Sequence, residues 1–212
     1  MHKLNRGTAP RCLNNYKHGR DNWDAVSSSD KQEIWVELDA MQGARCAYCE
    51  CAIAPKKRHI EHFVQRDRNP SLTFAWANLF GSCLRKGTCG DYKDKLPLYD
   101  PADLVKPDIE DPDNFFVFTV EGNIGIRRGI SPRDQHRAEE TLRILNLDAK
   151  HGPLRSMRRE AARDYVETAE CLAELASQLS QEELQALVQE EIEKTAGQPF
   201  ATVIRHVLSR NF

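Results

Sequence analysis

The sequence has no long apolar run and no apolar leader. Its 212 residues are 40% hydrophobic and 29% charged, and no apolar stretch approaches the roughly 20 residues that a membrane-spanning helix needs. The first residues, Met1-His2-Lys3-Leu4-Asn5-Arg6, carry charge, but no apolar segment or small-residue cleavage site follows them. We therefore expect neither a membrane span nor a secretory signal, and a chain that stays in the cytoplasm.

The chain also has little net charge, with a formal value of -2 at pH 7. This average hides an asymmetry, because residues 43–96 contain ten Lys and Arg against five Asp and Glu, whereas residues 160–195 contain ten acidic residues against two basic ones. A basic middle and an acidic later segment predict that only the middle faces a polyanion such as nucleic acid. Two ordinary solvated surfaces are the alternative that charge alone leaves open.

Seven cysteines are an odd number, and without a secretory signal they are better explained as metal ligands or buried thiols than as disulfides. Two close pairs stand out, Cys46 with Cys49 and Cys83 with Cys89. Two such pairs can supply four thiolates to a structural zinc ion, and Cys51 can replace one of these ligands. The isolated cysteines are expected to be small buried hydrophobic residues; they are Cys12 and Cys171.

The remaining pattern predicts an α+β protein that is mostly helical. Asp30 has the character of a helix N-cap, with Glu33 three residues later, and apolar residues recur at helical spacing up to Gly43. Apolar residues over 115–126, with a turn at Glu121-Gly122, predict a β-hairpin. Four later segments have helical periodicity: about 136–147, 153–178, 181–196 and 199–209.

These elements divide the chain into four parts. They are an irregular N-terminal arm (1–29), a core with the cysteine pairs (30–100), a loop with the hairpin (101–135) and a helical C-terminal region (136–212). Because the helical region is acidic, we expect it to pack on the core or on a protein partner rather than on a polyanion.

The residues suited to catalysis lie around and between the cysteine pairs. The segment His59-Ile60-Glu61-His62-Phe63 places an imidazole next to a carboxylate, and Asn78, Asp91 and Asp94 follow. A histidine with a pKa of about 6.5 can deprotonate water near neutral pH, so His62 is the candidate general base for phosphodiester hydrolysis. Carboxylate oxygens suit a single divalent cation, Mg²⁺ or Mn²⁺, and the candidate ligands are Glu61 and Asp94, with Asp91 as the substitute.

Each of these residues also has an ordinary explanation. His62 can be a structural histidine, and Asn78 can be a common loop asparagine. His59 should lie on the same strand face as Glu61 and opposite His62, where it can either form a structural hydrogen bond or bind the catalytic cation.

Basic residues surround these candidates, and we expect them to contact phosphates without selecting a base sequence. These nucleic-acid-binding candidates are Lys56, Lys57, Arg58, Arg66, Arg68, Arg85, Lys86 and Lys93. Nearby aromatic residues are expected to belong to the core rather than to stack on bases; they are Phe74, Trp76 and Phe80.

The order of these residues resembles that of the HNH nucleases, whose small ββα-metal core often carries a zinc ion held by two flanking cysteine pairs. In that family the first motif is an acidic residue followed by His on a strand, and the second is an Asn in a loop. Glu61-His62 matches the first motif and Asn78 matches the second. The resemblance implies that His62 is the general base and that Asn78 holds the catalytic loop.

The third motif of the family is a His, Asn or acid on the helix after the last cysteine, and at this point the sequence departs from the commonest pattern. Gly90 directly follows Cys89. Asp91 or Asp94 must then supply the missing metal oxygen, and Asp94, one helical turn beyond Gly90, is the favoured residue. A zinc-stabilised nucleic-acid-binding or adaptor protein with a degenerate, inactive HNH site is the alternative that Gly90 keeps open.

A more specific resemblance extends over roughly residues 1–100, through Lys3-Leu4-Asn5-Arg6, Ala9-Pro10-Arg11-Cys12-Leu13 and the segment 59–63. These residues are similar to the HNH subunits of bacterial Septu and retron-associated antiphage systems. The resemblance implies an effector endonuclease that works in the bacterial cytoplasm beside a PtuA-type ATPase. It also allows a retron reverse transcriptase, with its RNA and DNA product, as a partner. The substrate stays open between DNA and RNA, including tRNA.

Overall fold

The computed structural model describes residues 1–210 and is α+β, as the sequence predicts. Within that range it contains seven α-helices and two separate sheets of two antiparallel strands each. None of the described helices combines the length and apolarity needed to cross a membrane. The elements are α1 (Ser28–Gln42), β1 (Arg58–His62), β2 (Leu79–Cys83), α2 (Cys89–Lys93), β3 (Phe116–Phe118), β4 (Ile124–Ile126), α3 (Pro132–Ile144), α4 (Pro153–Arg163), α5 (Val166–Leu175), α6 (Gln181–Thr195) and α7 (Ala201–Leu208).

Helix α1 begins earlier than the sequence predicts. Its N-cap is Ser27, whose side chain accepts a hydrogen bond from the backbone N–H of Asp30, so Asp30 lies inside the first turn. The Asp30 carboxylate instead accepts a hydrogen bond from the Tyr16 hydroxyl, a tertiary contact that the local capping pattern does not contain. The helix ends as expected at Gly43, which takes the left-handed conformation with φ of 59°.

Strands β1 and β2 position the candidate site at one end of a small sheet. They pair antiparallel, with His62 opposite Leu79. Every residue of β2 is buried, and Gly81 is required in it because a Cβ atom there would lie 2.8 Å from the Trp35 ring. Residues 63–78 connect the two strands, and helix α2 follows the short loop after β2. An antiparallel strand pair followed by a helix therefore surrounds the candidate residues.

The second half has the predicted hairpin, formed by β3 and β4, but its helices differ from the predicted boundaries. Helix α3 begins at Pro132 with Ser131 as its N-cap, because proline is well suited to the first helical position. The prediction of one helix over 153–178 is wrong, because the helix is interrupted around Tyr165, between α4 and α5. The break allows both helices to contact α7, and the Tyr165 hydroxyl donates to Gln198.

The C-terminal helices pack on the part of the chain that carries the cysteine pairs. Arg45 donates to the backbone carbonyls of Ala196 (2.9 Å) and Gln198 (3.1 Å). The backbone N–H of Thr202 donates to the Glu50 carboxylate at 3.1 Å. Residues of α7 and the segment before it also share a buried cluster with the four paired cysteines: Phe200, Val203 and Val207.

The N-terminal arm lies against the core along the segment that leads into β2. The Arg6 guanidinium donates to the backbone carbonyls of Trp76 (2.8 Å) and Leu79 (3.0 Å). The arm is largely irregular, with short 3-10 turns that include Trp23–Ala25. This turn brings the arm to the candidate site, because the Trp23 ring contacts His62.

Candidate active site and zinc site

Four cysteine sulfurs meet in the core, as their spacing predicts. The ligand atoms of Cys46, Cys49, Cys83 and Cys89 all lie within 4.8 Å of one another, and all four residues are buried. The Sγ atoms of Cys46 and Cys89 are 3.8 Å apart, and those of Cys49 and Cys83 are 3.9 Å apart. Tetrahedral zinc with Zn–S bonds of about 2.3 Å separates its ligands by about 3.8 Å, so this cluster can bind zinc.

The other three cysteines lie outside this group. Cys51 is buried but is not one of the four clustered residues. Cys12 is buried as expected, and burial together with nearby carboxylates raises the pKa of its thiol to about 11. The expectation that Cys171 is buried is wrong, because this residue is exposed on α5.

The cysteine cluster joins the elements that carry the candidate catalytic residues. Cys83 ends β2, and β2 pairs with β1, the strand of Glu61 and His62. Cys89 begins α2, and its backbone N–H donates to the Leu145 carbonyl at 2.8 Å, just after α3. A metal ion bound to the four sulfurs would therefore fix β2 and α2 relative to each other.

Asn78 ties together the loop that follows His62. Its Oδ1 accepts a hydrogen bond from the Val64 N–H (2.7 Å), and its Nδ2 donates to the carbonyls of Val64 (3.0 Å) and Leu72 (3.2 Å). The Asn78 carbonyl also accepts from the Phe63 N–H at 2.9 Å. Because Asn78 is buried, losing these bonds would leave several backbone groups unpaired next to His62.

The environment of His62 determines which ring nitrogen is free. Its Nε2 lies 3.0 Å from the Thr73 carbonyl oxygen, which can only accept, so Nε2 carries the proton and Nδ1 has the lone pair. The ring packs edge-to-face with Trp23, with centroids 4.6 Å apart. Burial lowers the pKa of His62 to about 4, below the value of about 6.5 on which the sequence argument rests. The imidazole is therefore neutral at neutral pH and can accept a proton at Nδ1, as a weaker base than a free histidine.

Glu61 is buried between two basic side chains. Its Oε1 lies 2.7 Å from Lys93 Nζ, and its Oε2 lies 3.1 Å from His59 Nε2. His59 is thus beside Glu61, as the alternation of side chains along a strand predicts. Burial alone would lower the pKa of His59, but the hydrogen bond and negative charge of Glu61 raise it.

Lys93 does not lie at the surface, although the sequence places it among the basic residues predicted to contact phosphates. Its side chain is 0% exposed, and its Nζ contacts Glu61, Asp94 Oδ1 (2.8 Å) and the His62 carbonyl oxygen (3.0 Å). Burial would lower the pKa of Lys93, but the two carboxylates raise it, so Lys93 is an internal cation. The fold thus uses this residue to neutralise Glu61 and to join α2 to β1.

Replacing Lys93 with methionine is expected to destabilise the protein by roughly 3–5 kcal/mol, because a buried carboxylate would lose its charged partner. Urea denaturation followed by circular dichroism measures this change. The matched control is Lys95→Met, since Lys95 is 65% exposed and pairs with Asp91 at the surface, where an ion pair contributes at most about 1 kcal/mol. Equal stability of the two variants would show that Lys93 is not the internal counter-ion of Glu61.

The structure separates the two aspartates that the sequence leaves open. Asp94 lines a cavity of about 260 Å³ together with Glu61 and His62. Asp91 lies outside that lining and pairs with Lys95 at 2.7 Å, an interaction that lowers the pKa of Asp91. Asp94 is therefore the aspartate that the fold brings to the cavity of His62.

Gly90 lies against Glu61 and His59. A Cβ atom at Gly90 would be 2.3 Å from Glu61 Oε2 and 3.1 Å from His59 Nε2. The two side chains from β1 thus occupy the space that a larger residue on α2 would need. Helix α2 has no side-chain donor at this position, and a substitution there would displace Glu61.

The carboxylates near the cavity do not form a close cluster of potential metal ligands in the part of the chain that the structure describes. Within residues 1–210, groups of three or more potential metal ligands within 4.8 Å of one another do not include Glu61 or Asp94. Mg²⁺ commonly uses one or two protein carboxylates and completes its shell with water and phosphate oxygens. Here the carboxylates of Glu61 and Asp94 are both paired with Lys93 Nζ.

A second group of potential ligands comprises Cys12, Asp30 and Glu33. Its carboxylates are engaged within the protein, since Glu33 accepts from the Cys12 N–H at 3.0 Å and Asp30 accepts from the Tyr16 hydroxyl.

The predicted phosphate-contacting residues differ in how available they are. Arg58 is paired with Asp39 at 2.5 Å, and Arg68 donates to the Pro97 carbonyl at 2.8 Å, so both are engaged within the protein. Lys93 is buried, and Arg58 and Arg68 are partly exposed but engaged. The other exposed or partly exposed residues of the set are Lys56, Lys57, Arg66, Arg85 and Lys86.

Sequence reasoning missed three residues that border or orient the candidate site. Trp23 packs on His62, the Thr73 carbonyl binds its Nε2, and Gln65 donates to Asp94 Oδ1 at 3.2 Å. These residues lie in irregular segments, where no periodicity or ligand spacing distinguishes them from ordinary loop residues. The signal that identifies them is their contact with the motif residues in three dimensions.

The fold and the site define a small α+β protein in which a four-cysteine cluster supports a cavity lined by histidines and carboxylates. Over part of its length this chain is similar to the Septu protein PtuB of Bacillus thuringiensis, with 31% identity over 90 residues. The match covers 40% of this chain and 32% of that relative, about a third of its length. A scan against protein-family models finds no match. The similarity indicates a distant, PtuB-like relationship.

Proposed function

We propose that this protein is an HNH endonuclease that hydrolyses phosphodiester bonds of nucleic acid, and that it is the effector of a Septu-type antiphage system. One observation carries the proposal. His62 is neutral, its Nδ1 is free to accept a proton, and it lines one cavity with Glu61 and Asp94. The likeness to a Septu protein supports the biological role.

In this proposal His62 is the general base, and the residues around it orient it. Nδ1 of His62 accepts a proton from the attacking water, while the Thr73 carbonyl holds Nε2. Asn78 fixes the adjoining loop through Val64. A divalent cation, Mg²⁺ or Mn²⁺, when bound would neutralise charge that develops on the phosphate and the leaving oxygen. Glu61 and Asp94 would hold it.

The proposal gives the parts of the chain separate roles. Residues 30–100 would be the nuclease core, stabilised by structural zinc on the four cysteines, and the exposed basic residues would contact phosphates. The arm (1–29), the hairpin region (101–135) and the helical region (136–212) would pack on that core and present a surface to a partner. His59, beside Glu61, is the further candidate ligand of the catalytic cation.

The proposed partner is a PtuA-type ATPase, because Septu is the system named for the relative. A retron reverse transcriptase with its RNA and DNA product is included in the proposal as a second partner. The substrate class stays wide: DNA, RNA or a structured RNA such as tRNA would each present the phosphodiester bond that the site would attack.

A second function is favoured by one specific observation. Lys93 Nζ bridges Glu61 and Asp94, the two carboxylates proposed for the cation, and Gly90 provides no side-chain donor. In this second function the Lys93 ammonium occupies the place of the catalytic cation, so the site does not catalyse hydrolysis. The chain would then be a zinc-stabilised nucleic-acid-binding or adaptor protein.

Cleavage assays distinguish the two functions. The chain, alone and with its ATPase, is incubated with plasmid, single-stranded DNA and total RNA in the presence of Mg²⁺ or Mn²⁺, and His62→Ala is run in parallel. We expect the wild type to cut at least one substrate, and we expect cutting to require the added cation. If the wild type and His62→Ala both bind nucleic acid but cut no substrate under any condition, the nuclease proposal is overturned and the binding or adaptor function is favoured.

A further inference from the structure

The N-terminal arm contributes an aromatic wall to the candidate site. Trp23 lies on the 3-10 turn after Asn22, whose side chain accepts a hydrogen bond from the Ala25 N–H. The Trp23 ring packs edge-to-face with the His62 ring, with centroids 4.6 Å apart. It also stacks on the Phe74 ring, with centroids 6.3 Å apart. The Trp23 ring is therefore held beside the proposed general base by packing as well as by the turn.

Trp23 differs from the other two tryptophans of the chain. The Arg58 guanidinium lies 3.9 Å from the centroid of the Trp35 ring, and the Arg6 guanidinium lies 4.8 Å from that of Trp76. Trp76 also donates its indole N–H to a backbone carbonyl. The Lys31 ammonium lies farther, 6.0 Å, from the centroid of the Trp23 ring. Of the three tryptophans, Trp23 lines the cavity that contains His62.

A second open cavity of about 480 Å³ adjoins the first. Both cavities are lined by Trp23, Arg66 and Asp67, so they meet at these residues. The second cavity is also lined by His18 and Arg20 of the arm. Arg66 is exposed and has no ion pair among the described residues, which leaves a cation available where the two cavities join. An aromatic ring and a cation, with the Asp67 carboxylate beside them, thus lie together in the lining of the His62 cavity.

We propose that Trp23 stacks on a nucleobase next to the phosphate that faces His62, so that the substrate enters this site with an unpaired nucleotide. This inference rests on the proposed function. Base stacking on an aromatic side chain tolerates any sequence, and it requires a base whose face is not covered by its own duplex neighbours. Arg66 would contact the backbone beside that nucleotide.

The test measures binding in the wild-type chain without added divalent cation, so that the His62 ring that packs on Trp23 stays in place and no substrate is cut. Short oligothymidine and oligouridine strands are the probes, and a blunt-ended DNA hairpin is the paired control. Tryptophan fluorescence and affinity are recorded together. We expect the single strands to quench part of the fluorescence. Trp23→Ala should then weaken their binding about 5- to 150-fold, the loss expected for one base–aromatic stack.

Two further variants separate stacking from a structural effect. Trp23→Phe keeps an aromatic ring, so it should keep most of the affinity but lose the quenching. Trp76→Phe, at a tryptophan covered by Arg6, should keep both. Quenching that survives in Trp23→Phe, or single-strand affinity unchanged in Trp23→Ala, would overturn the inference and leave the nuclease proposal standing. Failure of the wild-type chain to bind any of the probes would also overturn the inference, whereas the cleavage assays decide the nuclease proposal.

Discussion

Replacing Cys83 with serine is expected to abolish zinc binding and the cooperative folding of the core. A serine hydroxyl keeps its proton near neutral pH and does not replace a thiolate in the four-sulfur cluster. Structural zinc contributes about 10–16 kcal/mol in small domains, which is comparable to or larger than the total stability of about 5–15 kcal/mol of an ordinary protein. The variant should therefore lack a sharp thermal transition. Metal analysis and a thermal melt measure the two effects.

The matched control for this prediction is Cys171→Ser. Cys171 is exposed and lies outside the cluster, so its replacement should change neither the metal content nor the melting temperature. We expect about one zinc ion per chain in the wild type and in this control, as one four-cysteine site requires. Zinc content and melting temperature that are unchanged in Cys83→Ser would show that the cluster is not a zinc site.

In the proposed nuclease, replacing His62 with alanine is expected to reduce nucleic-acid cleavage by about 10²- to 10⁴-fold, the usual contribution of a general base. Alanine removes the Nδ1 acceptor while leaving Glu61, Asp94 and the exposed basic residues in place. Binding of the substrate should therefore change much less than the rate of cleavage. Single-turnover cleavage of the preferred substrate, together with its dissociation constant, separates the two quantities.

The control for the His62 variant is another histidine that lies away from the cavity. His136 is 51% exposed on α3 and pairs with Asp103, so His136→Ala should cleave at the wild-type rate. The His62→Ala chain should also keep its four-cysteine site, which metal analysis checks. Cleavage by His62→Ala at the rate of His136→Ala would remove His62 from the mechanism.

Much of the metal chemistry could be predicted from the sequence because it depends on short spacings. The four clustered cysteines come as two pairs, and the structure confirms that they meet. Glu61 and His62 are neighbours on one strand, so alternation alone places them on opposite faces and puts His59 with Glu61. The α+β class and the hairpin of β3 and β4 follow from composition and local periodicity, and the structure confirms both.

Other features could not be predicted because long-range packing decides them. The sequence places Lys93 among surface cations, but β1 supplies a buried carboxylate that pairs with it. The helical pattern over 153–178 is continuous in the sequence, but the structure breaks it at Tyr165. Asp30 resembles an N-cap, but Ser27 caps the helix and Tyr16 binds Asp30.

The sequence by itself determined the cysteine pairs, the Glu61-His62 motif and the class of fold, since these depend on residues close together along the chain. Only the tertiary structure decided that Asp94 rather than Asp91 reaches the cavity and that the arm brings Trp23 to His62. The physical reason is that burial and contact between distant segments set the direction and charge of each side chain. Local propensity and spacing carry no information about those contacts.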